Sequence, residues 1–350
     1  MFDYLLSFEA LKVVRSIILR TINCLGFNHL FRLLNRKKMI ILFFHGISIK
    51  SFKFTHKRYF PISTFIKIIL YLKKKKYKFI TLTEWIKIVK NNQKIKHRYV
   101  ILTFDDGFKN VVDNAYPIIK KYNAKGCLYV ISGIIGNNQL IWADYLDVLI
   151  RDIKDKKFKF KFKDREIEYD LASPVNIKNA IGDIKHKLRY MNIKERQNHL
   201  KQFQKSNDID NFQNVPNDSL IVNWDELKSL DRQILEIGAH TNNHPNLKLL
   251  YTEDEFLDEL YHSKLVLEKN LGYRIDHLSY PAGFYDKRTI QYAKKYNYKT
   301  ATTVNYGFNT KKTDLFQLNR IFIDNDFTLF KFRISGLYHY MKKKINKYYL

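Results

Sequence analysis

Two short segments concentrate side chains able to do chemistry. Asp105 and Asp106 follow the apolar run Tyr99 to Phe104 and precede Gly107. His240 and His244 stand four residues apart in HTNNHP, directly after the run Ile234 to Ala239. One carboxylate and two imidazoles make a metal site with positions left for water and substrate. Such a site serves Lewis-acid hydrolysis. Neighbouring side chains on an extended segment point in different directions, so two adjacent aspartates divide the work. One can hold a metal while the other faces water as a base. Each motif also has a plainer reading. DDG is a common turn, and HxxxH can be a pair of surface or capping histidines. Found together, each at the end of an apolar run, they point to a site.

The runs that carry these residues read as strands at 39–45, 78–82, 99–104, 126–132, 234–239, 277–280, 298–304 and 320–324. Helices fall between them, at 83–89 with Thr83 as cap, at 110–122, and at 252–271 with Thr252 as cap. A final helix closes the chain. Alternating strand and helix implies an α/β fold with a parallel sheet, and about eight strands favour a closed or nearly closed barrel. The active site of such a barrel lies at the C-terminal ends of its strands, where the aspartates and histidines fall. Residues 39–350 are expected to form the barrel. Residues 154–219 break the rhythm and read as a mainly helical insertion, with helix around 175–203. This is a surface elaboration, a lid or a substrate-side wall. Residues 1–38 read as an N-terminal amphipathic, basic segment.

The chain has 350 residues, 62 Lys and Arg against 34 Asp and Glu, and a formal net charge of +28. The basic residues are spread along the chain with no nucleic-acid-binding signature, so nucleic acid is not expected as a partner. The richness in Lys, Ile, Asn, Tyr and Phe is what an A/T-rich genome produces. The functional reading of the charge is attraction to acidic lipid headgroups, a lipid-linked phosphate or an acidic glycan. Two cysteines, Cys24 and Cys127, cannot build a disulfide framework. No run of 18 apolar residues exists, and Asp3 and Glu9 spoil a signal-peptide reading. Residues 4–20 read as an amphipathic helix that either packs on the domain or lies in a membrane interface near Lys12, Arg15 and Arg20. The expected location is cytoplasmic, or peripheral on the cytoplasmic membrane face.

TFDDG (Thr103 to Gly107), HTNNHP (His240 to Pro245) and YPAG (Tyr280 to Gly283) resemble the first three motifs of the polysaccharide deacetylases. These are the NodB-homology enzymes of carbohydrate esterase family 4. The resemblance covers roughly residues 39–324, the insertion excepted. It implies a distorted (β/α) barrel that removes acetyl groups from N-acetylated sugars with one divalent metal. Zinc is the first candidate, with Co, Ni or Mn as others. It makes Asp105 the catalytic base and Asp106, His240 and His244 the metal ligands. Ser279 stands where the family often has a base-orienting arginine, and Arg320 is a candidate replacement. The Ala282 N–H is the oxyanion donor, and Pro281 and Tyr280 just before it are placed with it as oxyanion or substrate-binding residues. His45, ending the first strand in FFHGIS, resembles the early histidine that serves as general acid in deacetylases of the poly-N-acetylglucosamine export type. Its plainer reading is a core histidine. His277 precedes its strand and is expected at the opposite end of the barrel. Trp142 is assigned to helix packing rather than to sugar stacking.

The expected function is removal of an N-acetyl or other short acyl group from an amino sugar, in a polysaccharide, a cell-envelope glycan or a lipid-linked saccharide. The alternative is a catalytically silent barrel that binds glycans or membrane surfaces.

Overall fold

The computed structural model describes residues 17–19, 21–22, 24–49, 58–137, 139–163, 165–207 and 216–341. Seven parallel strands form the barrel: β1 (Ile40–Phe44), β2 (Arg98–Phe104), β3 (Gly126–Val130), β4 (Leu235–Ala239), β5 (His277–Ser279), β6 (Thr300–Tyr306) and β7 (Leu318–Phe322). Each pairs with the next, and β1 pairs with both β2 and β7, which closes the ring. The eighth expected strand, Tyr77–Phe79, stays outside the ring and pairs only with Arg98–Val100 at the start of β2. The helix after it begins two residues earlier than the sequence suggested. Thr81 rather than Thr83 is its N-cap, in a capping box with Glu84.

Strands buried on both faces read as continuous apolar runs, and β1, β3 and β4 are buried throughout. Period-two alternation then divides each strand between two layers. Ile40, Leu42 and Phe44 of β1 join Val100, Leu102 and Phe104 of β2 in the core that also holds the surrounding helices. Ile41, Ile101, Cys127 and Tyr129 form a separate cluster. Continuing the second parity upward reaches Phe43, His45, Thr103 and Asp105. On β4 the same parity gives Glu236, Gly238 and His240. Gly238 has no room for a side chain, because a Cβ would lie 2.5 Å from the Tyr129 ring.

The insertion is not helix alone. An antiparallel hairpin, Lys157–Phe162 with Arg165–Asp170, precedes two helices, Pro174–Arg189 and Ile193–Ser206. In KFKFKF every lysine is exposed, whereas Phe158 and Phe160 are buried, as a half-buried strand requires. These phenylalanines, Ile184, Leu188, Leu200 and Phe203 pack with Leu146, Leu149 and Ile150 of the helix Trp142–Asp152 in a core of their own. The helix expected at 252–271 carries a π-helical segment, Leu257–His262.

Residues 4–16 and 20, most of the proposed interfacial helix, lie outside the described residues. The segment before β1 includes a described helix, Phe27–Leu34, which contacts the helix Phe327–Ser335. No helix among the described residues is long and apolar enough to cross a membrane.

Candidate active site

The inward parity of β1, β2, β4, β5 and β7 brings His45, Asp105, His240, Ser279 and Arg320 to one end of the barrel. They surround a cavity of about 280 Å³ lined by His45, Asp105, Asp106, His240, His244, Ala282 and Arg58, among others. The β2 chain is held at its exit by a hydrogen bond from the Asp105 N–H to the Phe44 carbonyl at 3.0 Å. It then turns through Asp106 at φ 78° and Gly107 at φ 79°. A left-handed aspartate is an uncommon backbone state, and here it turns Asp106 to a direction distinct from Asp105.

Asp105 and Asp106 are both buried but differ in company. Asp105 Oδ1 accepts from Arg320 Nη1 at 2.7 Å and Oδ2 from Arg320 Nη2 at 2.9 Å. Ser279 Oγ donates to Oδ2 at 3.2 Å. Burial alone would raise the Asp105 pKa, but the Arg320 charge and its hydrogen bonds, with His240 and His45, hold it below the usual value. Arg320 is itself anchored by Nε to the Thr303 carbonyl at 2.7 Å and lies 3.9 Å above the Phe43 ring. The place where the resemblance leads one to expect an arginine thus holds a serine that touches the same carboxylate, and the guanidinium comes from β7.

Asp106 faces the imidazoles. His240 Nε2 lies 3.4 Å and His244 Nε2 3.5 Å from Asp106 Oδ1, and one donor atom from each residue falls within 4.8 Å of the others. Asp106 Oδ1 is buried without a hydrogen-bond partner. His240 Nδ1 is 2.8 Å from the Ser279 carbonyl, which fixes the proton there and leaves Nε2 as a lone-pair donor. Burial would raise the Asp106 pKa, but the close approach of His240 and the charges of His45 and His244 hold it far below the usual range. Burial lowers the His244 pKa to about 3, against the pull of Asp106. An unsatisfied carboxylate oxygen and two imidazoles, one of them kept neutral, form a donor set that fits a divalent cation.

His45 Nε2 lies 3.9 Å from Asp106 Oδ2 and its ring packs on Phe43 at 4.8 Å. Its pKa is lowered by burial, with Asp106 and Asp105 opposing. Ala282 has φ 51° and lines the cavity. Tyr280 and Pro281, the two residues before it, do not. Tyr280 is buried, stacks on Tyr285 at 4.6 Å and donates its hydroxyl to the Phe316 carbonyl at 3.0 Å, and Pro281 is buried in the wall.

Sequence reasoning passed over the residues that hold the HTNNHP loop. Glu259 accepts from the Asn242 and Asn243 N–H groups at 3.0 and 2.9 Å and from Asn243 Nδ2 at 2.8 Å. Arg196, from the insertion, donates Nη2 to the Asn243 and His244 carbonyls at 3.1 and 3.2 Å. Between these two clamps the loop keeps Thr241 at φ 67° and His244 at φ 53°. Trp142 is no mere packing residue: its Nε1 lies 3.4 Å from His244 Nδ1, and its ring carries the Arg196 guanidinium at 4.7 Å. His277 sits at the far end of the barrel, 3.5 Å from Glu236.

A closed parallel barrel with a buried Asp/His/His cluster and a second, arginine-held carboxylate at its C-terminal rim belongs to the class of barrel hydrolases. The sequence profile of the polysaccharide deacetylase family matches residues 92–301, more than half of the chain, and the chain belongs to that family. It is a hydrolase of the polysaccharide deacetylase type. Among curated relatives, the putative polysaccharide deacetylase YxkH of Bacillus subtilis is 20% identical over 284 residues, 81% of this chain and 71% of the relative. The poly-beta-1,6-N-acetyl-D-glucosamine N-deacetylase of Staphylococcus aureus is 38% identical over 74 residues, 21% of this chain and 25% of that protein. The fold is shared with the Streptococcus pyogenes deacetylase PplD (TM-score 0.58, 21% identity, covering 86% of this chain and 98% of that one). It is also shared with IcaB from Ammonifex degensii (TM-score 0.54, 14% identity, 86% and 96%).

Proposed function

We propose that the protein removes an N-acetyl or other short acyl group from an amino sugar in a polysaccharide, a cell-envelope glycan or a lipid-linked saccharide. The observation that carries this reading is the division between the two aspartates. Asp105 is held ionised by Arg320, and Asp106 shares a cluster with His240 and His244.

Asp106, His240 and His244 would hold one divalent cation, zinc before Co, Ni or Mn, given two nitrogen donors and one oxygen. A cation there supplies a Lewis acid that brings the pKa of water toward about 7 and polarises an acyl carbonyl. Asp105 accepts the proton of the attacking water. Arg320 and Ser279 fix the carboxylate's plane and keep it charged. The Ala282 N–H donates to the oxyanion of the tetrahedral intermediate. His45 gives its proton to the departing sugar amine.

The test is acetate or formate release from a panel of N-acylated glycans and lipid-linked saccharides, with and without chelator. Release that stops with chelator and returns with Zn supports the reading. A metal-loaded protein that releases no acyl group from any of them would leave a silent barrel.

A lipid surface is the second partner proposed. The helix Phe27–Leu34 turns Asn28 and Arg32 inward, at 1% and 6% exposure. Four of its apolar side chains face outward, Leu34 at 67% exposure, Leu30 at 51%, Phe27 at 44% and Leu33 at 38%, and Leu25 just before the helix is 67% exposed. The exposed Arg36 and Lys37 follow directly. An apolar face beside cations suits anionic headgroups, with the leucines in the acyl boundary.

A further inference from the structure

The insertion builds one wall of the catalytic cavity, through Lys185 and Arg189 of the helix Pro174–Arg189 and Arg196 of the helix Ile193–Ser206. With Arg58, these are four cations lining a cavity whose lining carboxylates are Asp105 and Asp106. Both carboxylates are engaged, one by Arg320 and the other by the histidines. Arg58 pairs with Asp144, and Lys185 with Asp147. Arg189 and Arg196 are in no ion pair among the described residues.

Arg196 is the unusual member. It is 3% exposed, its Nη2 makes both bonds to the histidine loop, and its Nε has no hydrogen-bond partner. Burial pulls its pKa down to about 10, with Glu259 opposing from across the loop. A buried cation that touches no carboxylate is costly, and such groups are normally paired. Here the guanidinium is held at the cavity edge, stacked on Trp142 beside His244. A guanidinium offers several donors in one plane and keeps its fork-shaped match to oxyanions even while one nitrogen is used.

We propose that this wall is an anion subsite: the acylated amino sugar carries a phosphate or carboxylate that seats on Arg189 and Arg196 while its acyl group lies at the Asp106, His240 and His244 cluster. The proposal rests on the deacylase reading above and narrows its substrate to an anionic saccharide. The insertion then sets specificity as well as supporting the histidine loop.

The test is calorimetric binding to the full chain after metal removal with chelator, so that a phosphate cannot simply ligate the cation. The probes are N-acetylglucosamine, N-acetylglucosamine 1-phosphate and N-acetylmuramic acid. Charge-assisted hydrogen bonds predict at least about tenfold tighter binding of an anionic sugar than of the neutral one. Tighter binding of the 1-phosphate alone assigns the subsite to phosphate, and of the muramic acid alone to carboxylate. Arg189→Gln and Arg196→Gln should each shrink the preference several-fold. Lys161→Gln, which removes an exposed charge from the insertion hairpin, should leave it intact. Should Arg196→Gln fail to fold, the wild type and the exposed Arg189 variant still decide.

Equal binding of all three sugars by the wild type overturns the subsite. Acetate release is measured separately on the metal-loaded enzyme. Release without anion preference in binding sinks the subsite and spares the deacylase reading. Anion-selective binding lost in both arginine variants, with no release from any substrate, does the reverse.

Discussion

Arg320 grips both carboxylate oxygens of Asp105, at 2.7 and 2.9 Å, across a separation of 215 residues. The pair is fully buried, so each charge depends on the other. Removing one partner of a buried pair leaves an uncompensated charge, at a cost of about 3–5 kcal/mol. Arg320→Ala should lower thermal stability accordingly, and it should let the Asp105 pKa climb toward the value that burial alone favours. The expected activity signature is a fall in kcat and an acid limb of the pH profile displaced upward. Arg320→Lys should restore stability in part and the bidentate geometry not at all. An Arg320→Ala enzyme with wild-type kcat and pH profile would remove Arg320 from any role toward the base.

The two aspartates should separate cleanly under mutation. Asp105→Asn preserves shape but cannot take a proton, so a bound divalent ion should be retained while acyl release falls by about 10²–10⁴. Asp106→Asn and His240→Ala should lose both. Metal content per chain and acetate release, measured on the same preparations, decide the matter. Normal turnover by Asp105→Asn would reassign the base.

Much of this arrangement was legible in the sequence because alternation is strict. Once the run before Asp105 is a strand, Thr103 and Asp105 must share a face, and the same counting aligns Glu236 with His240 and His277 with Ser279. The strand-end position of the histidines followed from the apolar run before them. Other features had no such periodicity. Arg196 sits in IKERQNHLKQFQKS, where an arginine looks like any solvated cation, and only tertiary packing turns it onto the histidine loop. Glu259 is likewise one carboxylate in an acidic helix until a π-helical turn aims it. The hairpin in the insertion was readable from KFKFKF, but the density of charge obscured the alternation. Arg320 could be nominated only by its place near a strand start, since the register that brings β7 to β1 is set by the closure of the ring.

His45 should act on leaving-group departure rather than on metal binding. His45→Ala is expected to retain the divalent ion and lose about 10²-fold in kcat on amide substrates. An acylated sugar with a better leaving group than an amine should lose much less, because it needs no proton. Equal losses on both substrates would mean that His45 shapes the cavity and donates nothing.

At the far end of the barrel, Glu236 ties the first turn of a helix to the strands. Its oxygens accept from the Leu82 and Thr83 N–H groups at 2.8 and 3.2 Å, and His277 Nε2 lies 3.5 Å away. Burial would raise its pKa, but His277 and these hydrogen bonds bring the net value below the usual one. A carboxylate with a depressed folded pKa contributes stability that is full above its unfolded pKa and is lost as pH falls through the folded value. Glu236→Gln should therefore be less stable than wild type at neutral pH by about 2 kcal/mol. The difference should shrink below the ordinary glutamate range, as the wild type itself takes up a proton. A gap constant down to strongly acid pH would assign the loss to packing alone.

The outward apolar face of Phe27–Leu34 predicts recruitment to vesicles containing an anionic phospholipid. Each leucine transferred from water into the acyl boundary gains about 1.5–3 kcal/mol when fully buried. Leu30→Glu combined with Leu34→Glu should therefore weaken partitioning by well over tenfold, without touching the inward Asn28 and Arg32. Neutralising Arg36 and Lys37 should weaken it less and reduce its dependence on salt, since screening acts on the charges and not on the apolar contact. Residues 1–16 offer a different cover for the same face. If they occupy it, the double glutamate variant will lose thermal stability while the wild type shows no partitioning onto anionic vesicles. Vesicle sedimentation and thermal melting of the same two proteins distinguish a surface that meets lipid from one that meets its own chain.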